Sequence, residues 1–470
     1  MALTQKSTGK QNYITSLDGK GYRYDIDGWN FAHIEGDPYE RGYQHGWLLS
    51  AEIKDSIEVE KKTDFIDYGI EWDYLKEFVD TKWAPKLDDE WIRELKGIVD
   101  GTNARAATAY DVSDMLVHNG NMELTDYWWP SFVDDYYANG INGTVASKLM
   151  QNEPDTGADD RCSAFIATGS YTSDNKIVLA HNSFAPFEVS NFLNVCLDVV
   201  PTNGQHFIMQ AQPGLIHSMS DMYESASLMV SETTIGGFWP YDPDGMPEFA
   251  RIRKAIQYAS TIDEFEAIML DGNNGGYANT WLIGELGSNE IARFELGLKF
   301  WKLDRTKDGY YAGFNAPEDP LVRNLECKNS GYADIRRHQG ARQVRIPQLI
   351  EANKGGIDAD VAKAILADHY DVYLQKDNPC SRTVCGHYEL DAREFMSMTG
   401  RPIPYQPRGA VDGVVGTSDS AREFKLFGRW CSSCGAGFNA NKFLQAHPQY
   451  TYLKDVLRDR PSMPWTELQA

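Results

Sequence analysis

Apolar residues along this chain recur first with the spacing of helices and later with the alternation of strands. In LDDEWIRELKGIVDG (87–101), Trp91, Leu95 and Ile98 fall at i, i+4 and i+7, one face of a helix. Residues 36–60 open on a turn and run into a second helical pattern, so the start of the chain reads as mostly helical. The stretch SKLMQNEPDTGADDR (147–161) is polar and turn-rich and breaks the pattern. Beyond it, CSAFIATGSYTSDNKIVLAHNS holds two strand-like runs around Ser173-Asp174-Asn175, a hairpin. NVCLDVVP, HFIMQAQ and SLMVSETTIG continue the strands, and NTWLIGEL, EIARFELG and KFWKLDR resume them further on. Helices are expected at 247–270 and 357–369. Hairpin strands mixed with long helices predict a layered α+β core rather than a doubly wound sheet. No Gly-rich phosphate loop follows a strand, which removes phosphoryl-transfer and nicotinamide chemistry.

Composition narrows the partners. The 470 residues are 42% hydrophobic and 24% charged, ordinary for a globular chain with a large core. A net charge of −23 repels nucleic acid and anionic membrane surfaces, so neither is expected as a partner. No apolar run is long enough for a transmembrane segment. The N-terminus lacks the apolar core of a signal peptide; the compartment reads as cytoplasmic, or as secreted or lysosomal if a leader has been removed. The seven cysteines are an odd number and do not read as a disulfide framework. Cys380-x4-Cys385 and Cys431-x2-Cys434 could together ligate zinc, with buried thiols or one local disulfide as the alternative. A C-x2-C pair alone is a weak signal, and no cofactor or metal is expected.

Cys162 stands where the polar break meets the first hairpin. A thiolate is a strong nucleophile, and an acyl-thioester splits a hard acyl transfer into two easier steps. If the chain is cut before Cys162, the new α-amino group can act as base for its own thiol. The run Cys162-Ser163-Ala164-Phe165-Ile166, a hairpin, then His181-Asn182-Ser183 resembles the nucleophile hairpin of phospholipase B-like proteins, members of the N-terminal-nucleophile superfamily. The region is also similar to acid ceramidase and to the acyl-coenzyme A:6-aminopenicillanate acyltransferase family. Upstream, GDPYERGYQHG (36–46) and EWIRELKGIVDG (90–101) resemble the acyltransferase N-terminal segment. Downstream, SETTIGG (231–237), ANTWLIGE (278–285) and YQPRGAVDGVV (405–415) fall where phospholipase B-like chains carry related motifs. Their shared order is the stronger part of the likeness.

The resemblance implies a four-layer αββα sandwich, with 1–161 a mainly helical N-terminal segment and 162–470 the catalytic core. It implies self-cleavage of the Arg161–Cys162 bond, Cys162 as nucleophile, His181 polarising the thiol or orienting the new amine, and Asn279 as oxyanion donor. Thr233, Thr234 and Arg382 are candidate substrate-binding residues; Glu232, Arg293 and Glu295 are weaker candidates, read first as surface ion pairs. Arg161 replaces the small residue usual before the nucleophile, and His181-Asn182-Ser183-Phe184 replaces the Arg and Asp of the ceramidase branch. The activity implied is hydrolysis or transfer at a linear amide other than a peptide bond. A phospholipase B-like ester hydrolase and a non-catalytic binding protein on the same fold are the alternatives. The expected partners are a small acyl amide or ester and the chain's own cleaved N-terminal segment, with a homo-oligomer left open.

Overall fold

The computed structural model describes residues 7–130, 132, 162–218, 222–392 and 404–470. The chain opens on three strands, β1 (Gln11–Thr15), β2 (Tyr22–Ile26) and β3 (Trp29–Gly36). Helices α1 (Pro38–Leu48), α2 (Ser50–Tyr68), α3 (Trp72–Lys82), α4 (Asp89–Ala106) and α5 (Val112–Glu123) follow. The expected break at 147–161 lies outside the described residues. The hairpin expected from Cys162 onward is β4 (Cys162–Thr168) and β5 (Val178–Pro186). Next come β6 (Val195–Pro201), β7 (Phe207–Ala211), β8 (Tyr223–Ser225), β9 (Leu228–Thr234), β10 (Asn279–Glu285), β11 (Glu290–Leu296), β12 (Trp301–Thr306) and β13 (Gly309–Gly313). The fold class is α+β.

Two large sheets face each other. One runs β1-β2-β3-β6-β7-β8-β9-β10-β11-β12, antiparallel except where β3 lies parallel to β6. The other runs β13-β4-β5 and continues through Asp412–Thr417, Lys425–Trp430 and Trp465–Gln469. Period-two alternation sorts each strand's side chains between two cores. Phe31, Ile208, Met229 and Leu282 of the first sheet pack with Ala164, Ile166, Leu179 and Val414 of the second. On the far side of the first sheet, Leu197, Met209, Val230 and Trp281 meet Ile53, Leu95, Ile98 and Phe249 from the helices. On the far side of the second, Phe165, Ala180 and Val415 meet Ile346, Ile350 and Ile365 from helices His338–Ala352 and Ala359–Leu366.

Two expectations are refined. The N-terminal segment is helical from 38 to 123, but its first three strands belong to the same sheet as β6–β12. The helix expected over 247–270 is two, Glu248–Tyr258 and Ile262–Leu270, because the Thr261 side chain accepts from the Glu264 N–H and starts a new N-terminus.

The motifs GYQHG and GIVDG turn out to be partners. Gly42 and Gly46 on α1 lie against α4 so closely that a Cβ on either would run into the backbone of Glu94 or Ile98. Gly97 and Gly101 on α4 meet the backbone of Tyr39 and Tyr43 in the same way. The close crossing buries Arg41, whose Nε donates to Glu94 Oε2 at 2.9 Å; Arg253 Nη2 reaches the same oxygen at 3.1 Å. Two cations on one carboxylate hold the Glu94 pKa below its usual value although burial pushes it up.

Candidate active site

Register places Cys162 and His181 on one face. Cys162 opposes Ser183 and Ala164 opposes His181 across β4–β5, so the thiol and the imidazole both point toward the facing sheet. There β9 supplies Glu232. The Cys162 thiol donates to Glu232 Oε1 at 3.5 Å, and the Tyr277 hydroxyl donates to the same oxygen at 2.8 Å. Donor atoms of Cys162, His181 and Glu232 all lie within 4.8 Å of one another. Glu232 is wholly buried, so the expectation of a surface ion pair is corrected: the stacking of the two sheets turns its carboxylate inward to the thiol.

Electrostatics keep the thiol and the imidazole neutral. Burial, and then the neighbouring Glu232, push the Cys162 thiol well above its ordinary pKa. Burial drives His181 down to about 3, against a small opposing contribution from the Glu232 backbone. His181 is therefore a neutral imidazole near pH 7, and neither of its ring nitrogens has a well-formed hydrogen bond.

The backbone of Cys162 is held as firmly as its side chain. Its N–H donates to Asn315 Oδ1 at 3.2 Å, and Asn315 Nδ2 donates to the Thr234 carbonyl at 2.7 Å, which ties the nucleophile strand to β9. Arg342, fully buried, donates to the Cys162 carbonyl, to Ser163 Oγ at 3.1 Å and to Asn315 Oδ1 at 2.8 Å. Sequence reasoning missed both residues. Asn315 sits at φ 65, a left-handed position Asn tolerates, in a loop with no motif around it. Arg342 lies on a helix that contains Pro347, which reads as a helix breaker in the sequence.

The other candidates divide. Asn279 opposes Thr234 on β10, is wholly buried, and neither its amide nitrogen nor its oxygen has a hydrogen-bond partner among the described residues. Thr233 lies over Gly313, the residue that pairs with Ala164, and its hydroxyl is likewise idle. The Thr234 hydroxyl donates to the Tyr277 oxygen at 3.4 Å. Arg382 is engaged elsewhere: its Nε donates to Asp371 at 3.0 Å and its Nη1 lies 3.9 Å from Asp391. Arg293 pairs with Asp304 at 2.7 Å, and Glu295 accepts the Glu318 and Asp319 N–H groups. Arg161 lies outside the described residues.

Tyr277 also lines a small cavity between α5 and the first sheet, with His118, Glu123, His217 and Glu248.

No protein-family model matches the chain. It is 26% identical over 282 residues to an uncharacterized protein of Archaeoglobus fulgidus, an alignment covering 57% of this chain and 43% of that protein. The chain therefore spans less than half the length of that relative. No helix among the described residues is long and apolar enough to cross a membrane.

Proposed function

We propose that the chain is an N-terminal-nucleophile cysteine hydrolase or acyltransferase acting on a linear acyl amide, and that its facing sheets with outer helices are the αββα sandwich of that superfamily. The observation that carries this is the pairing of two groups at one residue. The nitrogen of Cys162 is fixed by Asn315 while its sulfur meets Glu232 and His181. After cleavage that nitrogen is an α-amine beside its own thiol, with an ordinary pKa of about 7.7–8.0, suited to moving a proton at neutral pH.

In self-cleavage the Cys162 sulfur attacks the Arg161 carbonyl carbon, and its proton passes to Glu232. The C–N bond breaks, the nitrogen takes a proton, and water resolves the thioester to a carboxylate and a free thiol. In turnover the α-amine takes the thiol proton, the sulfur attacks the substrate carbonyl, and the leaving amine carries the proton away. Water, or an acceptor amine, then releases the acyl group. The idle Asn279 amide would donate to the oxyanion in this cycle. An ester would pass through the same acyl-enzyme, so acyl amides and lysophospholipids belong in one substrate panel.

Intact mass under denaturing conditions, with N-terminal sequencing, tests the proposal. Two fragments, one beginning Cys-Ser-Ala-Phe, are expected, and Cys162→Ala should give one uncleaved chain without acyl transfer. A folded Cys162→Ala protein with full activity would sink the mechanism.

A further inference from the structure

Four donor side chains converge away from Cys162, in loops that the proposed chemistry does not use. His369 follows helix Ala359–Leu366, Cys385 and His387 precede the short turn Tyr388–Leu390, and Cys434 follows strand Lys425–Trp430. One donor atom from each lies within 4.8 Å of every other. His387 Nε2 is 3.4 Å from both Cys385 Sγ and Cys434 Sγ. Sulfur and nitrogen ligands at about 2.3 and 2.0 Å from a tetrahedral zinc are about 3.5 Å apart, so these edges fit the ion.

The surroundings fit as well. His387 Nδ1 lies 2.8 Å from Glu389 Oε1; donating there fixes the tautomer that turns the Nε2 lone pair into the cluster, the carboxylate–histidine arrangement found behind metal ligands. His369 Nε2 is shielded from solvent without a hydrogen-bond partner among the described residues. The Ala436 N–H approaches Cys434 Sγ at 3.4 Å, as a donor to a thiolate would.

The remaining two cysteines of the close pairs behave differently. The Cys431 thiol donates to the carbonyls of Ala436 and Arg460 at 2.9 and 3.3 Å, and the Cys380 thiol donates to Asp371 at 3.5 Å. Both are protonated thiols facing oxygen. The four-cysteine zinc set suggested by sequence spacing is thereby replaced: one cysteine from each pair joins two histidines.

We propose that His369, Cys385, His387 and Cys434 form a structural Zn2+ site that staples the C-terminal loops behind the nucleophile strand. Two thiolates neutralise the ion and two neutral imidazoles complete a tetrahedron, a donor set that suits zinc. The staple acts where the loops meet Asn182. Its Nδ2 is placed to donate to Leu366 O at 3.2 Å, Val384 O at 3.1 Å and Ser433 Oγ at 3.2 Å, while its Oδ1 accepts the Ser163 N–H at 3.2 Å. Val384 and Ser433 each adjoin a cysteine ligand, so the site braces the residue next to Cys162.

Metal analysis of the full chain, purified without chelator from zinc-supplemented medium, tests this independently of activity. About one zinc per chain is expected, released when a mercurial titrates the thiols. Cys434→Ala and His387→Ala should each lower bound zinc at least about tenfold, and Cys431→Ala should retain it. Should these variants fail to fold, the wild-type zinc content and its mercurial-triggered release decide the matter. Wild-type protein with no zinc, with iron instead, or with a Cys385–Cys434 disulfide in its peptide map would overturn the assignment, as would a Cys434→Ala protein with full zinc.

Discussion

At the scale of single residues, Cys162 is surrounded by groups that are either saturated or idle. Asn315 and Arg342 are engaged with the backbone of Cys162 and fix where its nitrogen and carbonyl lie. His181, Thr233 and Asn279 are buried with polar side-chain atoms that make no well-formed hydrogen bond among the described residues. Leaving such atoms idle costs stability, which a site recovers when a reacting group supplies the missing partner. An amide donor aimed at an oxyanion contributes about 2.7–4 kcal/mol in comparable cases, so Asn279→Ala should lower kcat by about 10²–10³ with a smaller change in KM. Steady-state kinetics on the best amide of the panel checks this, and an unchanged kcat would remove Asn279 from the site.

At the scale of elements, the α1–α4 crossing carries the strictest demand. Backbone meets backbone at Gly42, Gly46, Gly97 and Gly101, and the buried Arg41–Glu94 pair is formed across that contact. A side chain at Gly97 would have to displace the Tyr39 carbonyl and the Tyr43 amide. Overpacking ordinarily costs about 1–3 kcal/mol, and here backbone rather than a flexible side chain must yield. Gly97→Val should therefore destabilise the protein by at least about 3 kcal/mol in chemical denaturation. A midpoint equal to that of the wild type would show that the helices can part without loss.

At the scale of the whole molecule, the segment before Cys162 is part of the core. Its strand β3 lies beside β6, and α2 and α4 bury Ile53, Leu95 and Ile98 against strands from beyond the cut. The two ends of the chain also meet: the Tyr24 hydroxyl donates to the Gln469 carbonyl at 2.5 Å, and Arg458 pairs with Asp55 at 2.7 Å. Cleavage at Cys162 should therefore leave both pieces together. Gel filtration in native buffer should show them co-eluting, with separation only in denaturant. Loss of the N-terminal piece under native conditions would contradict a shared core.

Much of the fold was legible because periodicity is local. The β4–β5 hairpin, strands β6, β7 and β9 to β12 and the face of α4 all follow from spacing within a few residues of each other, whereas the three-residue β8 gave no such run. The β2–β3 hairpin was legible too and was passed over: Asp27-Gly28, at φ 48 and 86, is a two-residue turn between Ile26 and Trp29. The site was only half legible. Cys162, His181, Glu232 and Asn279 lie in runs that the sequence singles out, whereas Asn315 and Arg342 reach the Cys162 backbone from distant stretches with no signal of their own. The same holds for the close cysteine pairs, where packing brought Cys385 and Cys434 together with His369 and His387. The sequence by itself determined the elements, their faces and the place of Cys162 at the head of a strand, because backbone preference and burial repeat at short range. Which buried groups face one another was decided by sheet stacking and loop closure, because those contacts join residues far apart in the chain and depend on the packing of the whole core.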